Sequence, residues 1–205
     1  DDFGIYILYD CTLQDLKDKK VTIMGLGLHG GAVGTVRFLH SLGAKIVVTD
    51  LKSKEVLSSS LDKLKGLKNI EYILGQHRPE DFVKTNLVVK NPAVPWSNKY
   101  IKLALENKVP VEMDSSLFFG FCKNNIIGIT GTKGKTTVSL LIYSILKMAG
   151  KNLIKAGVGQ FSVLDKLTEL KKDSIVVFEL SSWRLSALGK NFLSPHGAVI
   201  TNIFP

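Results

Sequence analysis

The apolar residues of this chain fall into short runs that alternate between two periods. The runs "VTIMG" (21–25), "AKIVVTD" (44–50), "IEYILG" (70–75), "NLVVKNP" (86–92) and "VPVEM" (109–113) are brief, β-branched and bounded by turn-forming residues. That pattern predicts buried strands. Between them lie stretches of helical period: "GGAVGTVRFLHSLG" closed by Gly43, "SKEVLSSSLDKLKGL" with Ser53 as N-cap, a short "PEDFVKT", "NKYIKLALENK" and "SSLFFGFC". Strands alternating with helices predict an α/β fold with a parallel sheet covered on both faces. Near residue 124 the pattern restarts. "NIIGIT" reads as a strand, "KTTVSLLIYSILKMAG" as a long helix closed by Gly150, and "KNLIKAG", "SIVVFELSS" and "HGAVITNI" as further strands. We therefore expect a first domain over 1–123 and a second over 124–205. The second is short for a nucleotide-hydrolase domain and reads as truncated. The opening "FGIYILYD" fits a strand or an ordered tail, and "TLQDLKDKK" a short helix or polar lead-in.

Composition narrows the class. Of 205 residues, 45% are hydrophobic and 22% charged, enough for a core and ordinary for a soluble protein. No apolar run reaches the length of a membrane span, and the acidic start lacks the basic region of a secretory signal, so no membrane is expected and the cytoplasm is the default. Two cysteines, Cys11 and Cys122, are too few for a disulfide framework. The histidines show no metal-ligand spacing. His40, His77 and His196 read as surface or core residues, leaving His29 for the loop below. A net charge of +9, from 27 Lys+Arg against 18 Asp+Glu, favours anionic ligands. The lysines are spread beside acids and are not interleaved with aromatics, so no nucleic-acid partner is expected.

Two glycine-rich loops carry the candidate chemistry. In "VTIMGLGLHGG", Gly25, Gly27 and Gly30 form G-x-G-x-x-G between a strand and a helix. Such glycines permit a tight turn, approach of a diphosphate to bare backbone, and close helix packing. Asp50 ends the next strand, where such folds place the acid that holds a ribose hydroxyl. Residue identity here leaves NAD and a uridine diphosphate both open. The second loop, "GITGTKGKTT", ends in Gly134-Lys135-Thr136, as phosphate-binding loops do. Ile129 stands where their first glycine belongs, with glycines instead at Gly128 and Gly131, so this loop is a variant. Small residues at 131 and 134 expose backbone N–H groups, Lys135 supplies a charge for β/γ-phosphates, and the Thr136 hydroxyl suits Mg²⁺. Glu179, the acid closing "SIVVFE", is the candidate carboxylate for the same ion.

"GLGLHGG", "ITGTKGKTT", "FELSSWRL" and "AVITNIFP", in the order the chain holds them, resemble the Mur ligase family from about residue 21 to 205. That resemblance implies a Rossmann-like first domain for a UDP-linked substrate, followed by the start of a P-loop ATPase domain, with a C-terminal domain lying beyond Pro205. It also implies amide-bond formation through an acyl phosphate, most like the member that joins D-glutamate to UDP-N-acetylmuramoyl-L-alanine, as a monomer. ATP and Mg²⁺ would be the cofactors, and the first 205 residues alone would be inactive. A sister ligase adding another amino acid and an NAD(P)-dependent oxidoreductase are the alternatives. Carried over by position, Gly27, Leu28, His29, Asp50, Leu51, Lys52 and Ala93 would contact the UDP substrate. Gly131, Thr132, Lys133, Gly134, Lys135, Thr136 and Thr137 would contact ATP. Lys135 and Glu179 would be catalytic, and Thr136 and Glu179 would hold the metal. Three departures fall on the UDP side. Leu51-Lys52 replaces the usual Thr-Arg, and lysine cannot fork onto a phosphate as arginine does. Ala93 replaces a glycine, and Val158 stands where an asparagine is usual.

Overall fold

The computed structural model describes residues 16–28, 30–159 and 162–204. The expectations for 1–15 lie outside the described residues, as does His29.

The chain forms two parallel sheets. The first holds β1 (Lys20–Met24), β2 (Lys45–Asp50), β3 (Ile70–Leu74), β4 (Leu87–Lys90) and β5 (Val111–Glu112) in the order β3-β2-β1-β4-β5. Its crossovers carry α1 (Gly31–Ser41), α2 (Ser58–Asp62), α3 (Glu80–Val83) and α4 (Lys99–Glu106). Then α5 (Asp114–Phe121) leads into the second sheet, built from β6 (Asn125–Thr130), β7 (Leu153–Ala156), β8 (Ile175–Glu179) and β9 (Gly197–Ile200) in the order β7-β8-β6-β9. Here α6 (Lys135–Met148) follows β6, and α7 (Ser182–Lys190) follows β8. Every pairing is parallel, with Met24 opposite both Thr49 and Lys90, and Ile129 opposite Glu179. All carboxyl ends of one sheet therefore share one edge, where α/β folds bind ligands.

The strands form where β-branched residues alternate with few polar ones, and both faces are covered, so Val21, Ile23, Val48 and Val176 are almost wholly buried. One core runs through both sheets. Leu117 and Phe118 of α5 belong to it, and Phe118 meets Phe178 of β8 edge-on at 5.3 Å. α1 also packs on a 3₁₀ turn, Val163–Glu169, of the second half. Its Gly34 lies so close there that a Cβ would collide with Ser162. A second core cluster, Met24, Phe82, Val88 and Ile101 among its members, fills the opposite face of the first sheet under α3 and α4.

One expectation needs correction, and one helix was not foreseen. The helix expected over 53–67 is reduced to Ser58–Asp62, with turns on either side. Ser53 caps nothing; Leu57 precedes the helix, and its N–H reaches back to the Ser53 carbonyl. Three consecutive serines, which favour turns over helix interiors, and Gly66 at φ 90 explain the short length. The "WRLSALGK" stretch, to which the sequence reading assigned no element, lies in α7, which Ser181 caps by accepting from the Arg184 N–H.

Asp81, fully buried at the start of α3, ties this helix to the sheet. It accepts from Arg78 Nε at 2.7 Å and from Lys20 Nζ at 3.2 Å. Burial pushes its carboxyl up, but the hydrogen bonds from Arg78 and Lys20 outweigh burial and leave it below the usual value of 3.8. Its stabilisation is present above that value and fades as pH falls through it. Asp81→Ala should cost about 3 kcal/mol, the low end for a broken buried pair, since its two partners are about a third exposed. Urea denaturation at pH 7 reads this directly, and the gap between native and variant should narrow below pH 4.

Candidate functional site

At the carboxyl edge of the first sheet a cleft of about 580 Å³ runs across four strand ends. Its lining includes Gly25 to Leu28 after β1, Asp50 to Lys52 after β2, His77 after β3, and Asn91 to Val94 after β4. Thus Gly27, Leu28, Asp50, Leu51, Lys52 and Ala93, singled out from sequence, lie together in one cleft. The Gly25–Gly30 turn needs glycine, because all three glycines of the pattern have φ between 71 and 88. Asp50 braces this loop. It is 5% exposed, and its carboxylate accepts from the Gly27 N–H at 3.1 Å and the Lys52 N–H at 2.9 Å. Each carboxylate oxygen retains capacity for a further donor. Ser60 of α2 donates to the Gly27 carbonyl at 2.6 Å, so the short helix also holds the loop.

Two cleft residues escaped the sequence reading. Asn91 donates to the Gly25 carbonyl and accepts from the Ala93 N–H at 3.0 Å, clamping one wall to the other. Its position before Pro92 at a strand end was the available signal. His77, grouped with the structural histidines, lines the cleft. Burial pushes its imidazole below 6.5, Asp50 opposes this and Lys99 adds to it, so the ring is neutral at pH 7.

The second loop sits at the corresponding edge of the second sheet. Gly134 precedes α6 at φ 82, and Gly131 has φ 139. The segment after β9 grips this loop. Thr132 N–H donates to the Asn202 carbonyl at 3.0 Å, Lys133 N–H to Asn202 Oδ1 at 2.9 Å, and Thr201 Oγ1 to the Lys133 carbonyl at 2.6 Å. Lys135 Nζ folds over the turn onto the carbonyls of Gly131 at 2.7 Å and Thr132 at 3.3 Å. Thr136 and Thr137 are exposed in the first turn of α6, where unpaired N–H groups and the helix dipole favour an anion. Glu179 closes β8, the neighbour of β6, and its Oε2 is buried without a hydrogen-bond partner. A buried carboxylate oxygen left open at this edge is what a cation site requires. Among the described residues no group of three or more acidic, His or Cys side chains is placed to hold a metal. Magnesium on nucleotide phosphates needs only one or two protein oxygens, so Glu179 and Thr136 fit that role.

Comparison with known proteins agrees with this geometry. Residues 19–112 match the model "Mur ligase MurD-like, N-terminal domain", and 129–205 match "Mur ligase middle domain". The chain belongs to the Mur ligase family. A UDP-N-acetylmuramoylalanine–D-glutamate ligase of Roseiflexus sp. is 43% identical over 94% of this Mur ligase chain, and one of Borreliella afzelii is 45% identical over 94%. The chain spans about two fifths of the length of the curated relatives it matches. Among solved structures, the UDP-N-acetylmuramate-alanine ligase MurC of Thermotoga maritima covers 90% of the chain at 26% identity, with a TM-score of 0.50; the chain covers 41% of it. A Neisseria ligase for UDP-N-acetylmuramate and a tripeptide shares the fold, at a TM-score of 0.55 and 17% identity over 91% of this chain and 61% of its own. No described helix of this Mur ligase chain is long and apolar enough to cross a membrane.

The grip on the second loop makes Gly131 indispensable. A Cβ there would run into Thr201 Oγ1 and the backbone of Asn202, on a φ that other residues avoid. Gly131→Ala should prise the loop from the 201–204 segment. Hydrogen exchange at the Thr132 and Lys133 amides should accelerate at least ~10-fold, while the amides of β1 and β2 keep their protection.

Proposed function

We propose that this chain carries the UDP-substrate and ATP sites of a ligase that joins D-glutamate to UDP-N-acetylmuramoyl-L-alanine in peptidoglycan precursor synthesis. Residues 1–123 form the UDP-substrate domain, and 124–205 belong to the ATP domain. The observation that carries this reading is the pair of glycine-built anion cradles, one on each parallel sheet, the first opening into a cleft large enough for a nucleotide sugar. Two phosphate-bearing ligands need two cradles. The net charge of +9 suits both.

The diphosphate of the UDP substrate lies against the Gly27–Leu28 backbone and the start of α1, with Ala93 at its flank. Asp50, besides bracing the loop, accepts from a nucleoside donor, and Leu51 and Lys52 cover that end. ATP lies on the loop Gly131, Thr132, Lys133, Gly134, with Thr136 and Thr137 at the helix start. Lys135 Nζ leaves the two loop carbonyls and moves to the β/γ-phosphates. The substrate carboxylate oxygen attacks the γ-phosphorus, forming a C–O–P bond and breaking the bond to ADP. The D-glutamate amine then attacks the acyl carbon, loses a proton, and expels inorganic phosphate, leaving an amide. The protein's part is to align the carboxylate and γ-phosphate and to offset their repulsion. Bound Mg²⁺, held through Thr136 and Glu179, supplies charge neutralisation on the phosphates.

Calorimetric titration with UDP-N-acetylmuramoyl-L-alanine and, separately, Mg·ATP tests the assignment. Each should bind once without displacing the other, and NADH should displace neither. Asp50→Ala should weaken the UDP ligand about 10-fold or more and spare ATP. Lys135→Ala should do the reverse. Displacement of the UDP ligand by NADH would overturn the reading.

A further inference from the structure

Lys90 ends β4 with a charge that the proposed function does not use. It is 2% exposed, and among the described residues no carboxylate lies within ion-pair distance of it. Its ammonium turns instead to the segment that follows. It donates to the Val94 carbonyl at 2.8 Å and lies over the Trp96 ring, 4.6 Å from the centroid. The first four residues of that segment, Asn91 to Val94, form a wall of the first cleft. Asn91 holds the start of the wall to the Gly25 carbonyl, and Lys90 holds its crest at Val94. At the far end Trp96 Nε1–H donates to Ser186 Oγ of α7 at 2.9 Å. Lys90 therefore sits beneath a strap that runs from the cleft to the second half of the chain.

A buried ammonium is costly. Burial pushes Lys90 down to about 8, with Asp114 opposing the shift. The other charges around it are engaged elsewhere. Asp114, at the start of α5, meets Arg184 at 3.4 Å. Glu112 of β5 accepts from Ser116 and Asn191. Lys190 of α7 shares the Trp96 ring, and Lys99 of α4 lies over Tyr100. The cleft is the remaining direction from which a negative charge can come. β4 lies beside β1, and Val94 stands 3.8 Å from the place of a Cβ on Gly25. The ammonium is thus about two strand spacings, roughly 10 Å, from the Gly25–Leu28 loop. At that separation and an effective dielectric constant of about 20, a unit charge changes the affinity for an anion roughly tenfold.

We infer that Lys90 is a positioning residue of the first cleft: its buried ammonium holds the Val94–Trp96 wall in place and favours an anion on the Gly25–Leu28 loop, so that binding of the anionic ligand draws a proton onto Lys90. A neutral amine would keep a weaker bond to Val94 and lose its attraction to the Trp96 ring. The inference rests on the UDP-substrate reading of the first cleft.

Calorimetric titration with UDP at pH 8.5, in two buffers of different ionisation enthalpy, tests it. If the ligand raises Lys90 by about one unit, binding takes up about half a proton. UDP phosphates, with their last ionisation near 6, are fully charged at that pH and add nothing. His77, held below 6.5, adds nothing either. UDP affinity should fall roughly fivefold or more between pH 7 and 9.5. Lys90→Met should abolish the uptake, flatten that profile and weaken UDP about tenfold at pH 7, while Mg·ATP binding stays within about twofold. Lys90→Arg, charged throughout, should keep the affinity without the fall. Stability should move the opposite way. Burial keeps Lys90 below its unfolded value of 10.5, so the unfolded chain binds the extra proton between about 8 and 10.5. The native chain should therefore gain stability relative to Lys90→Met as pH rises through that window, just where it loses UDP. A lysine with a purely structural role would show no such loss. If Lys90→Met loses Mg·ATP as well, the variant is misfolded and the proton uptake of the native chain decides alone. A native chain that binds UDP with no proton uptake overturns the inference and leaves the UDP reading intact. One that binds Mg·ATP but not UDP overturns that reading, and the inference with it.

Discussion

Both glycine-built loops depend on one constraint: a glycine without a Cβ pressed against the residue that follows the neighbouring strand. In the first sheet the loop after β1 is clamped by Asn91, which follows β4, and a Cβ on Gly25 would come within 2.9 Å of the Asn91 Cβ. In the second sheet the loop after β6 is clamped by Thr201 and Asn202, which follow β9, against Gly131. Asn202 both accepts from and donates to Lys133 of the loop it holds, while Asn91 donates to the Gly25 carbonyl of its loop and accepts from the Ala93 N–H on its own side. A side chain on either glycine would separate clamp from loop, and the N–H groups would no longer point together at an anion. Parallel register makes this possible, since only then do β1 and β4, or β6 and β9, end at the same edge.

The seam between the sheets is the second element of the design. Among the described residues, the buried side-chain atoms without a hydrogen-bond partner are Asp114 Oδ1, Ser115 Oγ, Glu179 Oε2 and Arg184 Nε. Asp114 and Ser115 begin α5, Glu179 ends β8 and Arg184 lies in α7, so these atoms gather where the two halves meet. Arg184 spans that seam, from the Gly157 carbonyl at 3.0 Å to Asp114. Nearby Lys90, almost fully buried, is pushed down to about 8 by burial, with Asp114 opposing the shift, and its ammonium lies over the Trp96 ring. Unsatisfied polar groups cost stability when buried, and their concentration at this seam fits a region shaped for more than folding.

Much of this was legible in the chain itself. The strands at 20–24, 45–50, 125–130 and 175–179 announce themselves by short β-branched runs, and the loops by glycines at positions where φ is positive. Asp50 and Glu179 were readable because an acid ending an apolar strand has one edge to go to. What the sequence hid were contacts between distant segments. Nothing local to Asn202 or Ser60 marks them as clamps, and Asn91 shows only its place before Pro92, because the loop atoms they hold lie 33 to 69 residues away in other crossovers. His77 was passed over because its place in the cleft is set by Thr49 and Tyr100, which only the folded sheet brings to it.

The account stands on two separate cradles for two separate nucleotides. A crystal structure of the chain with UDP, a non-hydrolysable ATP analogue and Mg²⁺ tests that most directly. It should show the UDP diphosphate at the start of α1 against Gly27, and the analogue's β- and γ-phosphates enclosed by residues 131–136. Both nucleotides in one loop, or UDP on the second loop with the first cleft empty, would contradict it.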